Sequence, residues 1–436
     1  MFLEFVRYTF PSTLSMFIAS LYVIVDGIFV GRGIGDLALG AINIVFPLSI
    51  AFFGIASMFA VGGGTLISTN FGGNRIEEGI KIFRQVFKFL LFLSTILSIL
   101  GVVFAKEIVI FLGATGDTLN LASTYLRYYC LFCIPNILGI ALNSFIRNDG
   151  NPKLAMVATI SGAIANIVLD YIFIFIFKWG IMGAAIATGL GQLLTIGIIM
   201  LHFIFKRGYL SFGNETINFE NIKKFIQIGF PSFFAEITFS IIIFCINLAL
   251  VKIGKESGLT AFSIINYITT NIYMILLGLV FGVQPLISYN LGARKGKKML
   301  KFYKMTLQSS VVVNTIFSIL CFVFGYQIIG FFTNNKEIID MAYTGLNLLN
   351  FAFFLVGVNL TTTIYYQSIE KPMFSNVICV LRSIAFLPII LFILSKYFGL
   401  LGIWSSMIFS EIFTFIIIIL FFKIKPMTIQ VIKNVR

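Results

Sequence analysis

Apolar runs long enough to cross a bilayer recur almost end to end through these 436 residues. A span needs about 20 apolar residues, each rising about 1.5 Å, to bridge a hydrocarbon layer about 30 Å thick. Runs of that kind cover residues 8–31, 39–66, 85–105, 121–146, 154–177 and 181–205, then 225–251, 259–287, 305–332, 342–368, 373–396 and 399–422. They predict an all-α integral membrane protein of twelve transmembrane helices. Only 11% of the residues are charged and 59% are hydrophobic. A soluble chain, typically about 25% charged, could not cover a surface of this size with so few charges. The first run follows Glu4 and Arg7, contains Asp26 and is followed by no A-x-A-like site. It therefore reads as a first membrane helix and not as a secretory signal.

The net charge of +14 would suggest nucleic acid in a soluble protein. Here the basic residues lie between apolar runs, so they are read as topology signals and no nucleic-acid partner is expected. The loop after helix 2 carries Arg75, Lys81, Arg84 and Lys88, and the loop after helix 6 carries Lys206, Arg207, Lys223 and Lys224. The loop after helix 8 carries Arg294, Lys295, Lys297, Lys298, Lys301 and Lys304, and the tail carries Lys423, Lys425, Lys433 and Arg436. The alternate loops are poorer in bases, which places both termini in the cytoplasm and the protein in the cell membrane.

A shift of 220 residues aligns the chain with itself. Phe10-Pro11-Ser12 falls on Phe230-Pro231-Ser232, and Leu66-Ile67-Ser68 with Asn70 and Gly72 falls on Leu286-Ile287-Ser288 with Asn290 and Gly292. Pro152 falls on Pro372, and with a one-residue slip Gly180 and Gly183 fall on Gly399 and Gly402. Each half holds an even number of helices, so both enter the membrane in the same sense. The expected architecture is two six-helix lobes related by a pseudo-two-fold axis along the membrane normal, with a cleft between them. The N-lobe is assigned to residues 1–210, a polar linker to 211–224, and the C-lobe with a short basic tail to 225–436. Two lobes about a central cavity suit alternating access, and the chain is expected to act as a monomer among membrane lipids.

Ionisable groups inside the spans are costly, at least about 2.5–3.5 kcal/mol each near the bilayer centre, and so mark candidate function. Asp26, Asp170, Glu236 and Glu411 are the acids so placed, and Arg382 the base. Asn166 and Asp170 are four residues apart and share one helix face. Thr188 on the next helix and Asp26 on the first could join them. Two carboxylates with neutral oxygens suit a hard cation such as sodium, while two carboxylates in a dry cavity suit a shared proton equally well. Asp170 could instead anchor its helix through local hydrogen bonds, and Asp26 could be interfacial. Glu236 lies near Pro231 at cavity depth and is a candidate substrate-cavity residue, and its repeat mate is Met16. Glu411 has no evident partner, and Arg382 is read as holding helix 11 through an acid or a carbonyl. Pro11, within helix 1, frees a carbonyl and permits a bend.

Other chemistries find little support. Cys130, Cys133, Cys245, Cys321 and Cys379 all fall in apolar runs and read as packing residues. His202 is the lone histidine, with no nearby carboxylate along the sequence, which argues against His-based catalysis and metal clusters. Gly62-Gly63-Gly64 and the glycines at 31, 33 and 35 lack the G-K-[ST] and βαβ context of a nucleotide loop. No cofactor is expected, and pumping would draw on an ion gradient or another subunit.

Three stretches carry a resemblance. Val25-Asp26-Gly27-Ile28-Phe29-Val30-Gly31, Arg147-Asn148-Asp149-Gly150-Asn151-Pro152-Lys153 and Asn166-Ile167-Val168-Leu169-Asp170-Tyr171-Ile172-Phe173 resemble the multidrug and toxic compound extrusion (MATE) family, in its bacterial DNA-damage-inducible and MepA-like branch. The resemblance covers nearly the whole chain. It implies export of organic, often cationic, compounds in antiport with sodium or protons. It also implies a coupling-ion site at Asp26, Asn166, Asp170 and Thr188, a helix-1 hinge at Pro11, and cavity residues at Tyr22, Tyr125 and Asn143. Glu236 lies in the helix where another branch carries an acid, and Gln367 stands where helix 10 would need one. That departure favours the N-lobe for ion coupling.

Two other readings compete. A flippase for lipid-linked oligosaccharides would need several intramembrane arginines, of which only Arg382 is evident. A membrane-embedded enzyme would need clustered His, Asp or Ser residues at one depth.

Overall fold

The computed structural model describes residues 1–424, and the basic tail expected beyond them lies outside the described residues. The only regular structure among the described residues is helical, without strands. In the first half the helices are α1 (Phe2–Gly33), α2 (Asp36–Gly72), α3 (Ile76–Val103), α4 (Ala105–Phe111), α5 (Gly116–Leu131), α6 (Cys133–Asn148), α7 (Pro152–Asp170) and α8 (Gly180–Ile204). In the second half they are α9 (Phe219–Ile253), α10 (Lys255–Gly292), α11 (Gly296–Gly330), α12 (Lys336–Ser368), α13 (Pro372–Val380) and α14 (Leu387–Ile424).

Ten helical runs among the described residues are long and apolar enough to cross a membrane. The predicted fourth span is two helices, α5 and α6, bent by 52° at Phe132, and counts as one more. The run Pro372–Leu420 holds 49 residues, about 73 Å of helix against a hydrocarbon layer of about 30 Å. It breaks at Gly399, whose φ of 56° and ψ of −128° lie outside helical space. Only glycine adopts such a conformation without strain, so α14 turns there and the run supplies two spans. The sum is the expected twelve. The short α4, after the third span, was not expected. Outward-facing Phe92, Phe322 and Phe392 are 62–71% exposed, the apolar outer surface expected of membrane-spanning helices.

The repeat is visible in side-chain contacts. Ser68 Oγ donates to Asn148 Oδ1 at 2.7 Å, and 220 residues later Ser288 Oγ donates to the Ser368 carbonyl at 3.1 Å. Asn143 Nδ2 donates to the Ala155 carbonyl at 2.8 Å, and Ser375 Oγ donates to the Thr363 carbonyl at 2.7 Å, the same pair of positions with donor and acceptor exchanged. Arg147 Nη1 donates to Ser12 Oγ at 3.2 Å, and Gln367 Nε2 donates to Ser232 Oγ at 2.9 Å.

The halves meet most extensively where α2 packs on α9 and α1 on α10, two pairs that the repeat exchanges. At the ends of α2 and α10 the backbones cross at Gly72 and Gly292. A Cβ on Gly72 would run into the Tyr289 carbonyl, and one on Gly292 into the Thr69 carbonyl, positions again 220 apart. Glycine is what lets two membrane helices approach this closely. Higher along the same contact, Gln284 Nε2 donates to Thr65 Oγ1 at 3.2 Å.

The segment between α8 and α9 has no regular structure and is held to the first half. Asp149 accepts the backbone N–H groups of Tyr209 at 2.8 Å and Leu210 at 3.0 Å, and it pairs with His202 Nε2 at 2.8 Å. His202 has no carboxylate close by along the chain; the fold supplies one from 53 positions away. The pair is fully buried and anchors the linker.

Candidate cation site and cavity

Three helices build the site: α1 brings Asp26, α7 brings Asn166 and Asp170, and α8 brings Thr188. Small residues set the spacing of α7 and α8. A Cβ on Gly162 or Gly191 would lie 2.8 Å from the other's carbonyl oxygen, so the helices cross backbone to backbone there. One turn on from Gly162, Asn166 Nδ2 donates to Thr188 Oγ1 at 3.4 Å, and Thr188 Oγ1 donates to the Ala184 carbonyl at 3.1 Å. Asp170 closes α7, and from Tyr171 to Ile176 the chain widens into a π-helical turn. Such turns interrupt the i→i−4 ladder and recur at functional sites.

Asp170 is fully buried and Asn166 is 3% exposed. The Asp26 and Asp170 carboxyls lie within hydrogen-bonding reach of each other. Yet Asp26 Oδ1, both Asp170 oxygens and Asn166 Oδ1 are buried without a donor. Two ionised carboxyls are acceptors only, so the site as a whole is short of positive charge and of protons. Buried acceptors left in that state are costly. A sodium ion would meet a set of oxygen ligands there, and a proton would bridge the two carboxyls.

A cavity of about 230 Å³ lies against this site. Tyr22, Asn143, Asn166 and Thr188 are among its walls, while Asp26 and Asp170 sit behind that wall. Tyr125 is not at the cavity surface. It stacks behind Tyr129 with centroids 5.9 Å apart, and Tyr129 faces the cavity in its place. Pro11 lies inside α1 without interrupting it, and its carbonyl accepts Ser15 Oγ at 2.7 Å. Sequence reasoning missed Arg147, which also faces the cavity. The predicted fourth span ended one residue short of it, although its motif had been singled out.

The second half holds a different cluster. Arg382 forms an ion pair with Glu411, whose other oxygen accepts Asn359 Nδ2 at 2.6 Å. Glu411 thus has the partner that the sequence left unnamed. Glu236, expected at the substrate cavity, is 7% exposed and is not among the walls of the first-half cavity; it lies within the electrostatic reach of Tyr273. Arg382 and Tyr273 line a smaller cavity of about 70 Å³. Breaking the ion pair should be costly because it strands a buried charge. Arg382→Met is expected to lower stability by about 3–5 kcal/mol, and adding Glu411→Met should recover most of it. The midpoint of thermal unfolding in detergent would check this; a double variant no more stable than the single one would count against the pair.

Twelve spans in two repeated halves, with a buried acid pair beside a cavity of apolar surface and hydroxyls, define a polytopic α-helical transporter. The MatE family model matches residues 11–172 and again residues 231–392, two segments offset by 231 − 11 = 220 residues, and the chain belongs to that family. It is 27% identical over 412 residues to the multidrug export protein MepA of Staphylococcus saprophyticus, covering 93% of this chain and 90% of that one. It is 26% identical over 412 residues to MepA of Staphylococcus aureus, covering 94% and 91%. Among solved structures, a MATE protein in complex with MaL6 superposes with a TM-score of 0.93 at 23% identity, over 99% of this chain and 97% of that one. A MOP-superfamily transporter from Pyrococcus furiosus superposes with a TM-score of 0.91 at 23% identity, over 99% and 96%.

Proposed function

We propose that this chain exports small organic, often cationic, compounds across the cell membrane in exchange for inward sodium or protons. In this reading two lobes, residues 1–210 and 225–436 joined by the linker 211–224, alternate access to the cavity, with both termini in the cytoplasm and a single chain as the working unit. The observation that carries the ion coupling is the convergence of four donorless buried oxygens from Asp26, Asn166 and Asp170. They give a monovalent cation or a proton a reason to bind that does not depend on substrate. The MepA relatives, named as multidrug export proteins, support the substrate class. The flippase reading calls for several free intramembrane arginines, and it loses Arg382, which Glu411 neutralises.

Ethidium efflux from proteoliposomes, with sodium and proton gradients imposed one at a time and without ATP, tests the proposal. Efflux that follows one gradient is the expected result and identifies the ion. Folded protein that moves ethidium under neither gradient would overturn the exporter reading.

A further inference from the structure

Arg147 is a base buried in the fold and, unlike Arg382, it has no acid partner among the described residues. It is 6% exposed, and its guanidinium makes one hydrogen bond, from Nη1 to Ser12 Oγ at 3.2 Å. Nε is buried with no acceptor, and none of the ion pairs among the described residues includes Arg147. The nearest acid in sequence, Asp149, is engaged by His202 and by the Tyr209 and Leu210 amides. A guanidinium cannot shed its proton inside a protein, so the charge persists and its five N–H donors stay largely unspent.

The repeat supplies an internal control. In the second half Gln367 occupies the equivalent place and makes the equivalent bond to Ser232. A neutral amide therefore suffices for the structural contact, and the charge at Arg147 is surplus to it. Arg147 lies in the last turn of α6, where the carbonyl end of the helix offsets part of its cost. That makes the charge tolerable without consuming the donors. The side chain faces the first-half cavity together with Met16, Ser57, Ser144 and Phe281, a wall of apolar surface with hydroxyls.

We propose that Arg147 is an anion anchor of this cavity, receiving the oxyanion of an amphipathic ligand. Asn166 and Thr188, backed by the acid pair, give the same cavity a cation-attracting part. The ligand class that satisfies both is a zwitterionic aromatic compound, its carboxylate at Arg147. A phospholipid phosphate offers the same oxyanion chemistry. The inference rests on the export reading only in taking the cavity as a substrate site, and its test reads binding, not transport.

The probes are rhodamine 6G, a cationic ethyl ester, and rhodamine 19, the free acid of the same ring system, bound to the purified full chain in an uncharged detergent. Wild type should bind the acid about tenfold more tightly than the ester, as expected for a charge-assisted hydrogen bond. Arg147→Gln, which copies the second-half residue, should erase that preference, and Arg147→Lys should keep part of it. Phosphatidylglycerol added to the micelles distinguishes the sources: competition with the acid assigns the anchor to a lipid phosphate, and its absence to a ligand carboxylate. Wild type without a preference for the acid, or Arg147→Gln with the preference intact, overturns the proposal. If the glutamine variant does not fold, the wild-type preference and the lysine variant decide it. An acid preference lost in Arg147→Gln while efflux fails in wild type would sink the exporter reading and leave the anion anchor standing.

Discussion

Asp170→Asn is expected to cut gradient-driven efflux sharply while leaving the protein folded. The substitution keeps the shape of the side chain and takes away its charge. It also adds an N–H₂ donor within reach of the Asp26 carboxyl, which otherwise has a buried oxygen without a donor. The cluster then satisfies itself and no longer needs a cation. Stability should therefore hold or rise by about 1 kcal/mol, the net worth of one buried hydrogen bond. Efflux should fall roughly 5–150-fold, the range that a coupling free energy of about 1–3 kcal/mol spans. If sodium is the ion, the thermal midpoint of wild type should climb with sodium concentration and that of the variant should not. Asp26→Asn combined with Asp170→Asn should be little worse than either alone, because the two carboxyls act on one ion. Undiminished efflux in Asp170→Asn would move coupling to the second half, with Glu236 the next residue to test.

What could be read in advance follows from the range over which each feature acts. Twelve apolar runs and a fixed 220-residue offset are properties of the chain itself, and the structure reproduces both. Asn166 and Asp170 were legible as a pair because helix geometry places i and i+4 on one face. The pairing of Asn166 with Thr188 needed only the next helix. The pairings that were missed are His202 with Asp149, 53 positions apart, and Arg382 with Glu411, which stand on consecutive spans but carry no shared motif or face that marks them as partners. No local periodicity encodes those. The π-helical turn after Asp170 lies inside uninterrupted apolar sequence, and tertiary packing decides it, not composition. The bend at Phe132 sits just before Pro135, whose missing N–H and ring interrupt the ladder there, so that signal was in the chain. Arg147 escaped notice because a span boundary is uncertain by a few residues, and its burial depends on whether the cavity reaches that far.

Gly72→Val should drive the two halves apart at their basic end. The crossing of α2 and α10 admits no Cβ, since the atom that a Cβ on Gly72 would meet is the backbone carbonyl of Tyr289 and not a movable side chain. Overpacking of this kind costs typically about 1–3 kcal/mol. The contact lies between the halves, so the strain is relieved by separating them and not by unfolding either. If the export reading is right, this end faces the cytoplasm, and the variant is biased toward the conformation open on that side by roughly 5–150-fold in population. Thr65, fully buried on α2 and bonded to Gln284 across the crossing, gives a reporter. In a background lacking the native cysteines, Thr65→Cys should resist a bulky maleimide. With Gly72→Val added it should react on the order of tenfold faster, and Gly292→Val should act alike because the repeat relates the two positions. Gly197→Val is the control, for a Cβ there meets nothing within 4 Å. Equal labelling with and without Gly72→Val would mean that the crossing is not a closure between the halves. A collapsed thermal midpoint with the same labelling would make it a folding contact. Faster labelling at an unchanged midpoint would make the glycine pair the place where one end of the pathway is sealed.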